Sequence, residues 1–208
     1  MRTPVVCLAV LALAGSLNAQ SLRINLNGGY VFRDRFPIYT TQGAVEAAIV
    51  EAPVFGGGLE YLVNPDYGME LYYLGMPTEG RLRSGSFRYA EQVMVNYIMA
   101  GGLRYAPFSE KVKGFGGVSL GMALFEGETV SRAYAAWGLR GGVLINATDR
   151  IGLRIGAQLH SPIEAVGGGL YIGTGGTGGG VQTYSTIYQF GFTGGLAIAF
   201  GGKDVQRP

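Results

Sequence analysis

Past residue 20 the chain alternates between apolar and polar side chains with a period of two, the pattern of strands that separate two environments. In the first segment Leu22, Ile24, Leu26, Tyr30 and Phe32 share one face, opposite Arg23, Asn25 and Asn27. The second, about 53–63, sets Phe55, Leu59, Tyr61 and Val63 against Glu60. The third, about 67–76, sets Tyr67, Met69, Leu71 and Tyr73 against Glu70 and Tyr72. The fourth, about 91–105, sets Val93, Val95, Tyr97, Met99, Leu103 and Tyr105 against Asn96 and Arg104. A fifth, about 115–125, carries Val118, Leu120, Met122 and Leu124 opposite Ser119 and several glycines. A sixth, about 134–147, carries Trp137, Leu139, Val143 and Ile145 opposite Arg140 and Asn146. The seventh, about 150–160, has Ile151, Leu153, Ile155 and Leu159 opposite Arg154, Gln158 and His160. The eighth, about 186–200, has Tyr188, Phe190, Phe192, Leu196, Ile198 and Phe200 opposite Gln189 and Thr193.

In this phasing every charge within a segment falls on the polar face: Arg23, Glu60, Glu70, Arg104, Arg140 and Arg154. A soluble barrel keeps its apolar side inside. Here the apolar side is the larger and carries no charge, which assigns it to lipid, where an ionised group at mid-depth costs about 2–4 kcal/mol. Segments of this length suit tilted membrane strands of about 9–11 residues. The links alternate in length. Asn64-Pro65-Asp66, Ala106–Gly114 and Ala147-Thr148-Asp149-Arg150 are the shorter ones, and 33–52, 77–90, 126–133 and 161–185 are mostly longer. That asymmetry is the one between periplasmic turns and outer loops. The pattern predicts an all-β fold, a closed antiparallel eight-stranded transmembrane β-barrel in an up-and-down meander. Aromatic residues fit two interfacial girdles, Tyr61, Tyr67, Tyr105 and Phe200 toward the periplasm and Phe32, Phe55, Tyr73 and Trp137 toward the outside.

Composition supports this frame. Charged residues are 14% of the 208, against about 25% in soluble domains. Glycine occurs 37 times, against roughly 15 at average usage. No segment after residue 20 is apolar for long enough to cross as a helix, so spanning requires a closed barrel that pairs every backbone group within lipid. The first residues read differently. Met1-Arg2, the apolar run Val5–Ala14 and the small-residue stretch ending at Ala19 form a secretory signal over 1–19. The only cysteine, Cys7, lies inside it, which leaves the barrel region 20–200 without a disulfide or thiolate metal site. A net charge of +2 with no clustered basic face gives no reason for a nucleic-acid partner.

The last segment carries Thr193-x-Gly195-x-x-Ile198-x-Phe200, which resembles the C-terminal insertion signal of bacterial outer-membrane proteins. In that family the barrel-assembly machinery reads the signal, and the chain usually stops at the aromatic residue. Here a tail, 201–208, follows. With this signal the chain resembles the small eight-stranded OmpX/OmpA/OmpW-type barrels. The resemblance implies a Gram-negative outer membrane as the address, outer-membrane lipid as the surroundings and the assembly machinery as a partner during biogenesis. It carries over no catalytic residue.

An eight-stranded barrel is just wide enough to be filled by side chains or to hold one small ligand. The expected lumen is charged toward the periplasm, with Arg23, Glu60, Glu70, Arg104 and Arg154, and with Arg140 near mid-height. Glu60 and Glu70 flank the Asn64-Pro65-Asp66 turn as near cross-strand neighbours, so a cation must lie between them, and Arg104 is the first choice. Toward the outside the lumen turns apolar at Val31, Val54, Leu74, Met76, Met94, Ile98, Phe125 and Ile187, either packed or open as a pocket for small hydrophobic molecules, a site of the kind that the OmpW-type resemblance implies.

Three motifs invite chemistry without supporting it. Gly173-Thr174-Gly175-Gly176-Thr177-Gly178 matches a dinucleotide fingerprint but lacks the strand-to-helix frame that gives the motif its meaning. Asn146-Ala147-Thr148 is a glycosylation sequon at an expected periplasmic turn. His160 and Ser161, with Glu164 nearby, would suit a hydrolase, yet adjacent strand residues point to opposite faces. The sequence thus predicts a barrel without an enzyme site, cofactor or metal. Its expected role is surface interaction or envelope support, with an extracellular partner met through loops 33–52 and 161–185. Passage or binding of small apolar molecules is the alternative.

Overall fold

The computed structural model describes residues 22–40, 43–84, 87–128, 131–163 and 187–200. The signal segment 1–19, the tail 201–208, the glycine motif at 173–178 and Glu164 lie outside the described residues, as does 164–185 of the second long loop.

The alternating segments form strands β1 (Leu22–Val31), β4 (Ala52–Asn64), β5 (Tyr67–Ser84), β6 (Phe87–Pro107), β7 (Val112–Gly127), β8 (Ser131–Asn146), β9 (Ile151–Ile163) and β10 (Gln189–Phe200). Each pairs antiparallel with its neighbour, and β1 closes on β10 from Leu22↔Phe200 to Val31↔Gly191. The result is an eight-stranded ring with no free edge across the membrane, the condition for spanning as β-structure. The three short turns are held by side chains. Asn64 Oδ1 accepts from the amides of Asp66 and Tyr67, both at 2.9 Å. Thr148 Oγ1 accepts from Arg150 and Ile151, and Ser109 Oγ from Val112. These are the local bonds for which Asn, Ser and Thr are favoured at turns.

The loop expected at 33–52 is itself a hairpin, β2 (Asp34–Thr40) and β3 (Gly43–Ile49). β5 and β6 run to 18 and 21 residues, well past the span that lipid requires. β4 pairs with β5 only as far as Phe55↔Gly75, so the outer part of β5 has an exposed edge. β3 covers it, from Ile49↔Gly80 to Glu46↔Arg83. The amide of Val50 adds a bond to Glu79 O, and Thr78 Oγ1 donates to Val50 O. An open edge of this kind is a template for unwanted pairing. Covering it explains why this loop is ordered as strand.

Around the ring the outward face is apolar and exposed, as at Leu26, Phe55, Leu59, Leu71, Val118, Leu120, Phe192 and Leu196. Glu60, Arg140 and Arg154 face the lumen, as the lipid assignment requires. One strand reverses the expected phase. In β6, Val95, Tyr97, Met99, Leu103 and Tyr105 are buried inside, while Ile98 is 47% exposed and Arg104 and Met94 share its outward side. Partners directly opposite in an antiparallel pair share a face. Leu71↔Ala100, Met69↔Gly102 and Tyr73↔Ile98 therefore place Ala100, Gly102 and Ile98 of β6 against lipid, while Leu74↔Tyr97 and Met76↔Val95 turn Tyr97 and Val95 inward. The phase taken from apolar size fails because in this strand the bulk fills the lumen. Tyr105 accordingly leaves the periplasmic girdle, whereas Tyr67 and Phe200 are exposed as expected. Arg104 sits at the strand end opposite Tyr67, its guanidinium 5.9 Å from that ring, at the depth where an outward charge costs about 0–1 kcal/mol.

Leu120→Arg is expected to destabilise the barrel by about 2–4 kcal/mol, and Arg104→Leu to change stability by no more than about 1 kcal/mol, measured by equilibrium refolding into lipid vesicles. The phase of β6 has its own check. A fluorophore on Ile98→Cys should be quenched by lipids brominated in the acyl chain, and one on Val95→Cys should not.

Candidate functional site

The lumen is filled in layers. Leu62, Leu103, Leu144 and Ala197, with Phe115 against them, form an apolar floor at the periplasmic end. Above it lies the charge cluster. Glu60 and Glu70 are direct cross-strand partners on β4 and β5, and both side chains are fully enclosed. Three arginines converge on them. Arg23 Nη1 lies 3.2 Å from Glu60 Oε1, and Arg140 Nη2 bonds Glu70 Oε2. Arg154 Nη1 lies 3.6 Å from Glu60 Oε2 and 3.5 Å from Glu70 Oε1. Arg104, expected between the two carboxylates, is not in the cluster, because the phase of β6 turns it outward.

The bridging is done by Arg154 and by a neutral residue. Asn25 Nδ2 donates to Glu60 Oε2 at 3.0 Å and to Glu70 Oε1 at 3.1 Å. Tyr105 OH donates to Glu60 Oε1 at 2.5 Å and accepts from Arg23 Nη1 at 3.2 Å. Aromatic faces cover the cations. Arg140 lies 3.7 Å from the centroid of Tyr72, Arg154 lies 4.4 Å from Phe115, and Arg23 lies 5.5 Å from Tyr105. Desolvated contacts of this type are worth about 2 kcal/mol. Asn25 was legible as an inward polar residue. Tyr105 was not, since its face follows from the register of β6. Gly58 is required here, since a Cβ on it would lie 2.7 Å from Tyr72 Cβ and 3.0 Å from Glu70 Oε1.

A second polar layer crosses mid-lumen. Tyr72 OH is 2.7 Å from Ser119 Oγ and 2.9 Å from His160 Nε2. Tyr97 OH donates to Gln189 Oε1 at 2.9 Å, and its ring lies 4.9 Å from that of His160. Gly138 makes room for the imidazole, which would sit 2.7 Å from an added Cβ. His160 is thus committed to Tyr72, while Ser161 Oγ lies 3.5 Å from Pro162 O.

The outer layer is apolar. Val31, Val54, Leu74 and Met76 are buried there with Val95, Met99 and Ala123, and Phe125 and Ile187 pack against them. Met94 and Ile98 are not among them, because both face lipid. Ala47 and Ile49 of β3 are also buried, and Phe36 of β2 joins the same cluster, so the hairpin closes the outer mouth. Asp34 Oδ2 accepts the amide of Tyr188 at 2.7 Å and ties the hairpin to the start of β10. Burial raises the Asp34 carboxyl above its usual range, and the amides of Tyr188 and Arg35 pull it partly back. Arg33 and Glu51 form a two-point ion pair at the hairpin base, 2.7 and 3.1 Å.

Neither of the two best-defined voids among the described residues is of ligand size. One void, beside Arg140 and Arg154, measures about 10 Å³, close to the least that admits a single water. No group of three or more His, Cys, Asp or Glu is placed to hold a metal among these residues.

Comparison with known proteins places the fold. No family model matches the chain, and no curated protein sequence does. Among solved structures it is similar to the outer membrane protein OprG from Pseudomonas aeruginosa, at 10% identity and a TM-score of 0.60, over 88% of this chain and 97% of that one. It is also similar to Neisserial surface protein A, at 14% identity and a TM-score of 0.51, over 87% and 97%. The fold is that of the small outer-membrane β-barrels.

Because Arg140 is held by Glu70 whereas Arg154 sits at 3.5 and 3.6 Å from two carboxylates that have other donors, the cluster should respond unequally to neutralisation. Glu70→Gln strands Arg140 and is expected to cost about 3–5 kcal/mol, the usual penalty for orphaning one member of a buried pair. Arg154→Gln should cost clearly less. Urea unfolding of both variants in detergent micelles measures the difference.

Proposed function

We propose that this outer-membrane barrel does not conduct. It serves as a closed membrane anchor that presents the β2–β3 hairpin and the outer ends of β5 and β6 to the exterior, for surface interaction or support of the envelope. The observation that carries this reading is the filled lumen. An apolar floor, an ion-paired layer, a hydrogen-bonded layer and an apolar top follow one another, and the void beside Arg140 and Arg154 measures only about 10 Å³. A solute path needs a continuous chamber, and converting these layers into one would require breaking buried pairs that cost several kcal/mol each. The outer extension supports the second half of the reading. β5 has 18 residues where about 9–11 span, and its excess carries a paired hairpin.

Binding or passage of small hydrophobic molecules finds less support, since the apolar outer half is packed and two residues proposed for its lining, Met94 and Ile98, face lipid. Among the described residues, His160 bonds Tyr72 and Ser161 Oγ lies against Pro162 O, which gives an enzyme reading no support.

Two measurements test the proposal. The barrel refolded into planar bilayers should show no steady conductance, whereas stepwise channel currents from wild-type protein would refute a sealed lumen. Replacement of 35–48 by a short turn should leave the barrel inserted and heat-modifiable on gels. The same change should abolish the adhesion or detergent resistance that the intact protein confers on a Gram-negative host. Retention of both properties would remove the role assigned to the hairpin.

A further inference from the structure

Above the membrane β2, β3, β5 and β6 continue as one sheet. Its inward face buries Ala47 and Ile49. Its outward face continues the side on which Tyr73 and Ile98 meet lipid, because a strand keeps its alternation. That face carries Arg35 of β2, Glu46 of β3, Glu79, Arg81 and Arg83 of β5, and Arg88 of β6. Arg81 is bonded to Glu79 at 2.5 Å. Among the described residues Arg35, Arg83 and Arg88 are exposed and make no ion pair or side-chain hydrogen bond.

The register makes this arrangement unfavourable by itself. Arg83 lies directly opposite Arg88 across β5 and β6, and like charges so placed destabilise a strand pair. Arg35 and Arg81 lie in one row on either side of Ala48, whose methyl group cannot fill the space between them. Glu46 is the one carboxylate left to answer three free guanidinium groups among the described residues of this face. Glu126 of β7 stands lower, opposite Met94. An anion from outside the chain is what this face lacks.

Depth says which anion is in reach. Pro77 and Met94 are cross-strand partners and the last apolar pair below Glu79 and Gln92. Arg83 follows Pro77 by six residues. At about 3.3 Å per residue and a tilt of about 40°, it stands roughly 15 Å above the hydrocarbon edge. The headgroup layer of a plain bilayer is only about 5–7 Å deep on each side. We infer that this arginine face binds phosphate groups borne on the sugar headgroup of an outer-leaflet glycolipid. Such a headgroup rises beside the barrel to the height of Arg83 and Arg88, on the side that already faces lipid. The site draws on the outer-membrane address alone, and it stands whether or not the lumen conducts.

Wild-type barrel in detergent micelles is titrated with a purified outer-leaflet glycolipid that carries phosphate on its core sugars. The comparison ligands are the same glycolipid stripped of phosphate, and phosphatidylglycerol. The phosphorylated glycolipid should bind about tenfold more tightly than either, and Arg83→Gln combined with Arg88→Gln should weaken it about twentyfold, at roughly a factor of five for each residue beside an anionic surface. Arg104→Gln, at the other end of β6, should leave the affinity unchanged. In vesicles of phosphatidylcholine alone the double variant should be no less stable than wild type, since it relieves a repulsion. A loss of stability there would make the arginines structural and refute the site. Equal affinity for the stripped glycolipid, or an unchanged affinity of the double variant, would overturn it as well. So would equal affinity for phosphatidylglycerol, whose phosphate lies at the interface, or for the deacylated headgroup in solution, which would mark a surface for soluble polyanions.

Discussion

Pairing of every backbone amide and carbonyl within one closed ring is the constraint from which the remaining features of this protein follow. In hydrocarbon an unpaired group costs several kcal/mol, so the edge strands β1 and β10 must join. Closure forces each strand to alternate between two environments. With eight strands the inner one is only wide enough for side chains. Polar and apolar residues inside must then fit together as a solid core, while the outside needs only to be greasy.

The interior answers this with complementary layers. Placing Glu60 opposite Glu70 is unfavourable by itself, since like charges across a pair repel. It becomes tolerable because Arg23, Arg140, Arg154, Asn25 and Tyr105 reach the four carboxylate oxygens from other strands around the ring. The cluster thus ties β1, β4, β5, β6, β8 and β9 together across the lumen, adding links that the ladder between neighbours cannot supply. Glycines at Gly58 and Gly138 are part of the same arrangement, because they admit the large rings of Tyr72 and His160. At these two positions glycine serves the filling of the lumen.

The outer extension obeys the same rule of pairing. Once β5 outruns β4, its edge needs a partner, and β3 provides one while Ala47 and Ile49 close the mouth of the barrel. One hairpin therefore both protects an edge and packs against a core.

The alternation along the chain was sufficient for the strand count, the antiparallel meander, the short turns and the inward direction of Arg23, Glu60, Glu70, Arg140 and Arg154, because period two acts locally and a charge in lipid is expensive. It misplaced β6, where both faces are largely apolar and only pairing with β5 decides which one turns inward. Arg104, Met94, Ile98 and Tyr105 were assigned to the wrong side together for that one reason. Nor could it reveal which cation would bridge the carboxylates, since the choice of Arg154 over Arg104 depends on contacts across the lumen between strands distant in the chain. The order of the hairpin within 33–52 likewise depends on the length by which β5 exceeds β4. Sequence determined the two-sided character of each ribbon, and tertiary closure decided which side chains meet, because meeting across a barrel is a property of register and radius rather than of neighbours along the chain.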